Sequence, residues 1–491
     1  MRFNSIIEAL AYWAEADPDK ICFVDAETDK VCTYRQMWDW SYMFARHLET
    51  YGFEKGFRLV ARVSGVIDTN VAMFGTFLAG GVYCSTEQNM KELKLRELLT
   101  EYGAVVLASS EPFDWGGVSI DIKELSRAPV TETDFNWQTP NPDDLAIVVF
   151  TTGTTGKAKG VMHSYHTHLV PMYGWVNEMG IAREDVFLSV QPLERAGGIF
   201  HYYSAIIAGG TVVHHGGVVF AARLFNAIRK YGINTTYIQA PALQILMDTD
   251  MESFVEAGKQ IRILATGGAA VSESLKEKLV QAMPKTKLYV IYAATECIWI
   301  GYYQFNDKIG KANCIGKAAP GNDIKIVMQD SQLSYEGKNA GVVAIKSDCR
   351  FIGYYNDEEL YQKTVVDDYL HMTDIGFLDD DGYLYLLGRR DDIIETGGYK
   401  VAPYEVEEVA MQMDGILECA CIGIPNKVMG HIPKLFVRME TGKDFSARDI
   451  AKFMEQRLET YKMPRIITEV EDFPRVGGTT KIDKKELLKN V

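Results

Sequence analysis

The chain has 491 residues, of which 47% are hydrophobic and 24% charged, and its formal net charge is −15. This length exceeds one ordinary globular core, so we expect at least two domains in a globular rather than disordered or fibrous protein. The acidic balance argues against a nucleic-acid partner, because phosphate binding needs clustered Lys and Arg. No stretch reaches the roughly 18 apolar residues of a membrane helix, and the first residues lack a signal-peptide pattern. We therefore expect a cytoplasmic protein with no membrane span.

The eight cysteines are scattered along the chain without a C-x-x-C pair. This pattern predicts buried thiols in a reducing compartment rather than a disulfide framework or a zinc site. Cys419 and Cys421 are two residues apart, so we expect both to face the core from one strand.

The first 140 residues alternate helical patterns, at 5–16 and 90–102, with short apolar stretches such as RLVARV and AVVLAS. From Leu145 the alternation continues, with LAIVVF, TVV and NTTYIQA as predicted strands and LFNAIRKYG and ESLKEKLVQAM as predicted helices. Such alternation is typical of βα units in a parallel, layered sheet.

The sequence pattern changes beyond Gly316. There the short apolar strings IKIVMQD, GVVAIKS and GYLYLLG predict a small antiparallel barrel or sheet. From about Arg389, VAPYEVEEVAMQM and DIAKFMEQRLETY predict the helices of a compact α+β unit. We therefore predict an α/β fold in which a large N-terminal domain (1–388) of layered βα sheets and a small β-barrel-like part precedes a small, mobile α+β domain (389–491).

The densest motif is TTGTTGKAKG at 151–160, which follows the strand LAIVVF and precedes a segment that we expect to be helical. Glycines let the backbone approach a phosphate, hydroxyl and N–H groups donate to its oxygens, and lysines supply countercharge. The motif is not a Walker loop, because its spacing is shorter and Ala158 replaces the Ser or Thr that follows Gly-Lys. It predicts a phosphate-binding loop, with a flexible surface turn as the alternative.

The same string resembles the signature loop of the adenylate-forming superfamily, which includes acyl-CoA synthetases, peptide-synthetase adenylation domains and firefly-type luciferases. In family order, ATGGAA (265–270) is similar to the adenine-contacting turn and YAATE (292–296) to the Tyr-Gly-x-Thr-Glu motif. Three later motifs match HMTDIG (371–376), GRRDDIIETGGYKVAPYEVE (388–407) and GGTTKID (477–483). The resemblance implies an acyl-CoA synthetase-like enzyme that joins a carboxylic acid to AMP, releases pyrophosphate and passes the acyl group to coenzyme A.

By this resemblance the ATP site contains Thr151, Thr152, Gly153, Thr154, Thr155, Gly156, Lys159, Gly267, Gly268, Ala269, Tyr292, Ala293, Ala294, Asp374 and Arg389. The loop hydroxyls and Thr295 would hold phosphate oxygens, and Tyr292 would stack on adenine. Asp374, assisted by Arg389, would bind the ribose hydroxyls, and Glu296 would ligate Mg²⁺. Fixed cations and donors would supply most of the catalysis, because negative charge grows on the phosphate oxygens during the reaction.

The resemblance also implies that the C-terminal domain moves between two conformations about a hinge at Asp391. Lys481 would be the catalytic cation of the first reaction, with an ordinary surface lysine as the alternative. In the second conformation the loop at Gly397 and Gly398 would replace Lys481 and leave a narrow path for the pantetheine arm.

The acid substrate is less well defined by the sequence. In QPLERAGG (191–198), Arg195 stands where the family usually has an aromatic residue, so it would pair either with a second polar group on the acid or with Glu194. The segment 191–211 contains no Asp to hold an ammonium group, which favours an amine-free acid. Tyr237 and Gln239, before Pro241, are predicted to line the acyl pocket.

His163, His166 and His168 are close in sequence but have no acidic partner nearby, so packing or surface roles are favoured over a metal site. Ala158, Thr373 and Thr480 depart from the family pattern, and the two threonines would be strained if their positions required a positive φ.

Three alternatives stay open at this point. The acceptor would be coenzyme A or the phosphopantetheine of a carrier protein, since both present the same thiol arm. A non-catalytic nucleotide-binding relative is the third reading, and self-association as a homodimer is left open.

Overall fold

The computed structural model describes residues 2–125, 137, 139–151, 159–307, 311, 314–335, 337–476 and 482–489. The first helix shows how local sequence sets an element boundary. Ser5 is its N-cap, and the Ser5 hydroxyl oxygen accepts a hydrogen bond from the Glu8 N–H at 3.2 Å. Such a cap satisfies a backbone donor that the helix itself leaves unpaired.

The N-terminal third follows the predicted alternation of helices and strands. The elements up to residue 125 are α1 (Ile6–Ala16), β1 (Ile21–Asp25), β2 (Lys30–Thr33), α2 (Tyr34–Glu49), β3 (Arg58–Arg62), α3 (Val66–Leu78), β4 (Val82–Ser85), α4 (Glu92–Tyr102), β5 (Val106–Ser109), β6 (Val118–Asp121) and α5 (Ile122–Leu125).

The middle of the chain continues this pattern after one antiparallel hairpin. Its elements are β7 (Leu145–Thr151), β8 (Lys159–Ser164), α6 (Tyr165–Gly174), β9 (Val186–Ser189), α7 (Ala196–Ile199), α8 (Tyr203–Ala208), β10 (Thr211–His214), α9 (Ala221–Tyr231), β11 (Thr235–Tyr237), α10 (Ala240–Thr249), α11 (Met251–Gly258), β12 (Ile263–Gly267), α12 (Glu273–Ala282), β13 (Lys287–Ala294) and β14 (Cys297–Gln304).

Strands dominate the remainder, as the sequence predicts beyond Gly316. The elements are β15 (Cys314–Ala318), β16 (Asn322–Tyr335), β17 (Lys338–Ser347), β18 (Gly353–Tyr354), α13 (Glu358–Thr364), β19 (Val365–Val366), β20 (Tyr369–Leu378), β21 (Leu384–Arg389), β22 (Ile394–Thr396), β23 (Tyr399–Val401), α14 (Pro403–Met411), β24 (Ile416–Asn426), β25 (Gly430–Met439), α15 (Ala447–Glu455), β26 (Ile466–Glu469) and α16 (Lys484–Lys489).

The strands form three sheets. The largest has the order β16-β17-β20-β21-β15-β14-β13-β12-β11-β9-β10-β1-β2, with β19 paired to β20. The second has the order β18-β8-β7-β4-β3-β5-β6, and the third joins β23-β22-β25-β24 with β26 on β25. The antiparallel strands beyond Gly316 therefore continue the largest sheet.

Helix α3 lies in the layer between the first two sheets, and this explains its composition. Val71, Phe74 and Phe77 of α3 belong to one apolar cluster with Phe187 of the first sheet and Tyr83 of the second. A helix covered on both sides buries residues on all of its faces, and every residue of α3, VIDTNVAMFGTFL, is buried except Asp68. The layered α/β arrangement of the prediction is confirmed.

The segment after the predicted phosphate loop corrects one expectation. Residues 159–164 form strand β8, antiparallel to β7 with Thr151 opposite Lys159, and α6 begins only at Tyr165. The loop therefore connects two strands of a hairpin and does not lead directly into a helix.

All eight cysteines are buried and free, as predicted. Cys419 and Cys421 both lie on β24 in the core of the third sheet, where burial raises the pKa of both thiols. Among the described residues, no helix is both long and apolar enough to cross a membrane.

Candidate functional site

The predicted site residues cluster at the carboxyl ends of neighbouring parallel strands. Strands β9, β11, β12 and β13 pair in parallel in that order. They end at Ser189, Tyr237, Gly267 and Ala294. Ligands of open α/β sheets bind beyond such strand ends, so the topology brings the predicted nucleotide and acid residues to one edge.

The turn after β12 packs tightly against its neighbours. A Cβ at Gly267 would lie 2.2 Å from the Ile291 carbonyl oxygen, and Gly268 has a φ of +73°. A Cβ at Gly268 would lie 3.3 Å from the Tyr237 hydroxyl and 3.2 Å from the Gln239 amide nitrogen. The predicted adenine turn and the predicted acid-binding residues are therefore adjacent, and glycine is required for that approach.

Thr295 and Glu296 form the two-residue turn of the hairpin between β13 and β14, because Ala294 pairs with Cys297. The Thr295 carbonyl oxygen lies 2.8 Å from His163 Nε2 on β8. The Tyr354 hydroxyl donates to Glu296 Oε1 at 2.9 Å. The turn is therefore attached to the second sheet through two side chains.

On the other side of the site, Tyr292, Asp374 and Arg389 come together. The Tyr292 hydroxyl donates to Asp374 Oδ2 at 2.5 Å, and Asp374 pairs with Arg389 across strands β20 and β21. Burial and the Asp374 carboxylate hold the pKa of Tyr292 well above its usual range, so the phenol is a fixed donor. Thr373 lies in β20 without a positive φ, so its replacement of a family glycine causes no strain there.

The predicted phosphate loop is held at its two ends by strand pairing. Thr151 and Lys159 face each other across the hairpin, and Lys159 Nζ lies 5.7 Å from the centre of the Tyr354 ring. The predicted residues Thr152, Gly153, Thr154, Thr155 and Gly156 lie outside the described residues, as do Ala158, Thr480 and Lys481.

Arg195 has a partner that the sequence did not indicate. Its guanidinium donates to Glu87 Oε1 at 2.8 Å, whereas Glu194, one of the two alternatives that the sequence left open, forms no ion pair with it. Glu87 follows β4, which is far from Arg195 in sequence and belongs to the second sheet. Burial raises the pKa of Glu194.

Aromatic rings surround the end of β11. The centre of the His201 ring lies 4.2 Å from that of Tyr237, and His201 also stacks on Trp175 at 4.9 Å. Burial lowers the pKa of His201 to about 4, so this imidazole is neutral near pH 7. A Cβ at Gly197 would lie 3.5 Å from the ring, so the 191–198 segment packs directly against it.

The predicted hinge and thiol-path residues lie beyond β21. Asp391 is exposed in a short 3₁₀ turn, Arg390–Asp392, that joins β21 to β22. Gly397 and Gly398, with φ of +56° and +85°, make the turn between β22 and β23. Both are exposed, and a Cβ at Gly397 would lie 2.3 Å from the Met429 methyl carbon.

The sequence did not predict a role in the site for three residues: His163, Tyr354 and His201. His163 is buried, as a packing role predicts, yet it also contacts the Thr295 carbonyl. Tyr354 and His201 stand outside the recognised motifs. Their contacts join segments far apart in the chain, so only the strand order reveals them.

The AMP-binding enzyme family matches residues 10–355, and the AMP-binding enzyme C-terminal domain matches residues 405–479. The first match covers more than half of the chain and includes the strand ends described above. The chain therefore belongs to the AMP-binding enzyme family, which confirms the resemblance read from its motifs.

Two relatives and one solved structure illustrate the likeness. The 2-succinylbenzoate–CoA ligase of Bacillus licheniformis is 26% identical over 476 residues, which cover 94% of this chain and 95% of that ligase. An octahydro-inden-4-yl propanoyl:CoA ligase of Rhodococcus jostii is 27% identical over 347 residues, or 70% of this chain and 65% of that ligase. The structure of o-succinylbenzoate coenzyme A synthetase from Bacillus subtilis, in complex with ATP and magnesium ion, has a TM-score of 0.83 at 23% identity and covers 98% of this chain and 99% of that one. That last likeness confirms the fold class.

Proposed function

We propose that the chain uses ATP to activate a carboxylic acid as acyl-AMP, with release of pyrophosphate, and then transfers the acyl group to the thiol of coenzyme A. The observation that carries this proposal is the contact between the two halves of the site. The Gly268 turn, on the nucleotide side, lies against Tyr237 and Gln239 on the acid side. Family membership and the CoA ligases among the relatives support the same activity.

ATP would lie across the carboxyl ends of β12 and β13. The Tyr292 ring would face adenine, and Asp374 would accept hydrogen bonds from the ribose hydroxyls beside Arg389. Thr295 and the loop residues 151–156 would donate to the phosphate oxygens, while Lys159 would supply countercharge. Ala269, Ala293 and Ala294 would provide backbone surface along the nucleotide.

Glu296 fits a magnesium site. Mg²⁺ in nucleotide enzymes is usually held by one or two carboxylates together with phosphate oxygens and water. In the described part of the chain, no group of three His, Cys, Asp or Glu side chains is placed to hold a metal alone. A single carboxylate that is oriented by Tyr354 suits an ion shared with ATP, and the ion would neutralise charge that develops on the phosphates.

The acid would enter beside β9 and β11. Tyr237 and His201 would form an uncharged wall, which favours an acyl group without an ammonium. Arg195 is already paired with Glu87, so a second carboxylate on the acid would have to replace that partner. We infer that Arg195 marks the rim of the acyl pocket, with Gln239 nearer to the reacting carboxylate.

The second reaction needs a change of conformation. We propose that residues 389–491 form a domain that turns about Asp391, which exchanges Lys481 for the Gly397-Gly398 loop. Coenzyme A is the proposed acceptor, and a carrier-protein phosphopantetheine would use the same thiol path. A cytoplasmic location and a homodimer stay predictions of the sequence.

Pyrophosphate release over a panel of aliphatic, aromatic and dicarboxylic acids, with and without coenzyme A, tests the function. At least one acid should stimulate release, and coenzyme A should then convert the acyl-AMP to acyl-CoA. ATP binding without release for any acid would instead indicate a non-catalytic relative. Transfer of the acyl group to a carrier protein but not to coenzyme A would show that the acceptor is a carrier-protein phosphopantetheine.

The Lys481→Ala variant tests the assignment of the catalytic cation. Loss of a cation aimed at developing charge should slow acyl-AMP formation by about a hundredfold or more. Thioester formation from supplied acyl-AMP should stay close to wild type. Lys489→Ala, on an exposed position of α16, is the control and should leave both rates unchanged. Equal losses in both reactions of the Lys481 variant would contradict the role.

A further inference from the structure

The turn at Thr295 and Glu296 is held from one side by two side chains of adjacent strands. His163 belongs to β8 and Tyr354 to β18, and these strands pair with Tyr354 opposite Val161. His163 reaches the backbone carbonyl of Thr295, and Tyr354 reaches the carboxylate of Glu296. These two side-chain contacts hold the turn together with a backbone hydrogen bond from the Phe351 N–H to the Glu296 carbonyl oxygen at 2.8 Å, and the Tyr354 contact sets the direction of the Glu296 side chain.

The contact made by His163 has a fixed direction. Full burial lowers the pKa of His163 to about 4, so the ring is neutral near pH 7 and carries one N–H. A carbonyl oxygen only accepts, so Nε2 must carry the hydrogen in the contact with Thr295. Nδ1 then accepts from the Thr167 hydroxyl at 3.1 Å, and the Thr167 oxygen accepts from the Ser164 N–H at 3.0 Å. This chain of donors fixes the imidazole in one orientation.

The contact made by Tyr354 fixes the Glu296 carboxylate. Its hydroxyl binds Oε1 at 2.9 Å, and once one oxygen is held the direction of the other is set as well. The face of the same ring lies 5.7 Å from Lys159 Nζ, within the range of a cation–π contact. Tyr354 thus joins the end of the phosphate loop to the predicted magnesium ligand.

We propose that His163 and Tyr354 are positioning residues that hold Thr295 and Glu296 in the geometry needed to bind Mg²⁺ together with ATP. This inference rests on the proposed function, because the position of the turn matters for binding only if the turn contacts ATP and its magnesium ion. Neither residue touches substrate in this role. Each acts through the turn that it holds.

Each positioning residue has a matched control in the chain. Tyr355 follows Tyr354, but its hydroxyl donates to the Tyr102 carbonyl at 2.7 Å, away from the turn. His168 is as buried as His163, and its ring stacks on Phe77 and Phe200. Tyr354→Phe is therefore compared with Tyr355→Phe, and His163→Leu with His168→Leu.

The readout is ATP affinity measured by calorimetry with and without Mg²⁺, in the absence of any acid. In Tyr354→Phe and His163→Leu the gain in affinity that Mg²⁺ gives should fall by about fivefold to tenfold, the effect of losing one well-placed hydrogen bond. Affinity for metal-free ATP should stay unchanged in Tyr354→Phe, because Tyr354 contacts the Glu296 carboxylate and not Thr295. The control variants should keep the full Mg²⁺-dependent gain, and His163→Gln, which retains an N–H donor, should recover part of it.

Tyr354→Phe removes one oxygen only, so it keeps the inference testable if His163→Leu does not fold. Equal Mg²⁺-dependent gains in Tyr354→Phe and Tyr355→Phe would overturn the positioning role while leaving the proposed function intact. A wild-type protein whose ATP affinity does not depend on Mg²⁺ would overturn the positioning role and the assignment of Glu296 as a magnesium ligand, whereas absence of pyrophosphate release with every acid would overturn the proposed function.

Discussion

Asp374 is the residue that we propose binds the ribose hydroxyls of ATP. It already accepts a hydrogen bond from Tyr292, and ribose hydroxyls would donate to the same carboxylate. Bonds to a charged acceptor contribute about 1.5–3 kcal/mol, so Asp374→Asn should weaken ATP binding by about tenfold or more. Tyr292→Phe keeps the ring and the carboxylate and should weaken binding less.

Titration with 2′,3′-dideoxy-ATP checks this assignment. Without ribose hydroxyls the nucleotide cannot use Asp374, so wild type and Asp374→Asn should bind it with similar affinity. A variant that still binds dideoxy-ATP about tenfold more weakly than wild type does would place Asp374 in contact with another part of the nucleotide.

The residues that carry local motifs were predictable, and those that support them were not. Glu296 and Asp374 stand in recognisable strings. The side chains that contact predicted site residues come from distant segments of the chain. His163 is separated from Thr295 by 132 residues, and Glu87 is separated from Arg195 by 108 residues. Such contacts depend on which strands become neighbours in a sheet. The local sequence around each residue does not specify which strands pair.

At the scale of elements, alternation of helix and strand identified most of the βα units but failed at β8. The string KGVMHS is short, and its partner β7 lies across the phosphate loop. Strand pairing across a loop is a non-local interaction, so it overrides the local pattern that suggested a helix. This error matters for the proposed site, because β8 carries both Lys159 and His163.

The turn after β12 gives a test at this scale. Gly267→Ala would place a methyl group 2.2 Å from the Ile291 carbonyl, which forces β12 and β13 apart. We expect a loss of about 3 kcal/mol or more in unfolding free energy together with loss of ATP binding, because Tyr292 follows Ile291. Urea unfolding and nucleotide titration measure the two effects.

Gly232→Ala is the matched control for that substitution. Unlike Gly267, Gly232 has a positive φ, +66°, but a Cβ there would meet no atom within 4 Å. The strain should cost about 1–2 kcal/mol and leave ATP binding unchanged. Equal losses of binding in both variants would show that the close approach at Gly267 is not what holds the site.

For the whole molecule, the sequence predicted the layers but not how the antiparallel part joins them. Strands β14 and β15 connect the parallel strands to β21 and β20, and this places Asp374 opposite Tyr292. This junction can be identified only once the order of the strands in the sheet is known. The local pattern does not indicate it, because the segment beyond Gly316 has the pattern of an independent small sheet.

Contacts between the segment 389–491 and the rest of the chain include polar pairs beside an apolar patch, in which Ala402 and Ile393 pack with Phe377 and Leu387. Lys400 on β23 donates to Asp330 on β16 at 2.5 Å, and Lys278 lies 4.0 Å from Glu440. Glu408 on α14 faces Glu273 and Lys276 of α12, and burial raises its pKa to about 7. Polar contacts of this kind can be exchanged with water at small cost, which suits a domain that moves.

The Lys400–Asp330 contact must break if this domain turns about Asp391, so joining the two positions tests the motion. All eight native cysteines are buried, hence a short, cleavable bis-maleimide should react selectively with the pair Asp330→Cys and Lys400→Cys. The linked protein should lose acyl-CoA formation by about tenfold or more while one of the two half-reactions persists, because only one conformation is accessible. Cleavage of the linker should restore turnover, and each single variant treated with the reagent should stay active. Normal turnover in the linked protein would show that both reactions occur without the domain motion.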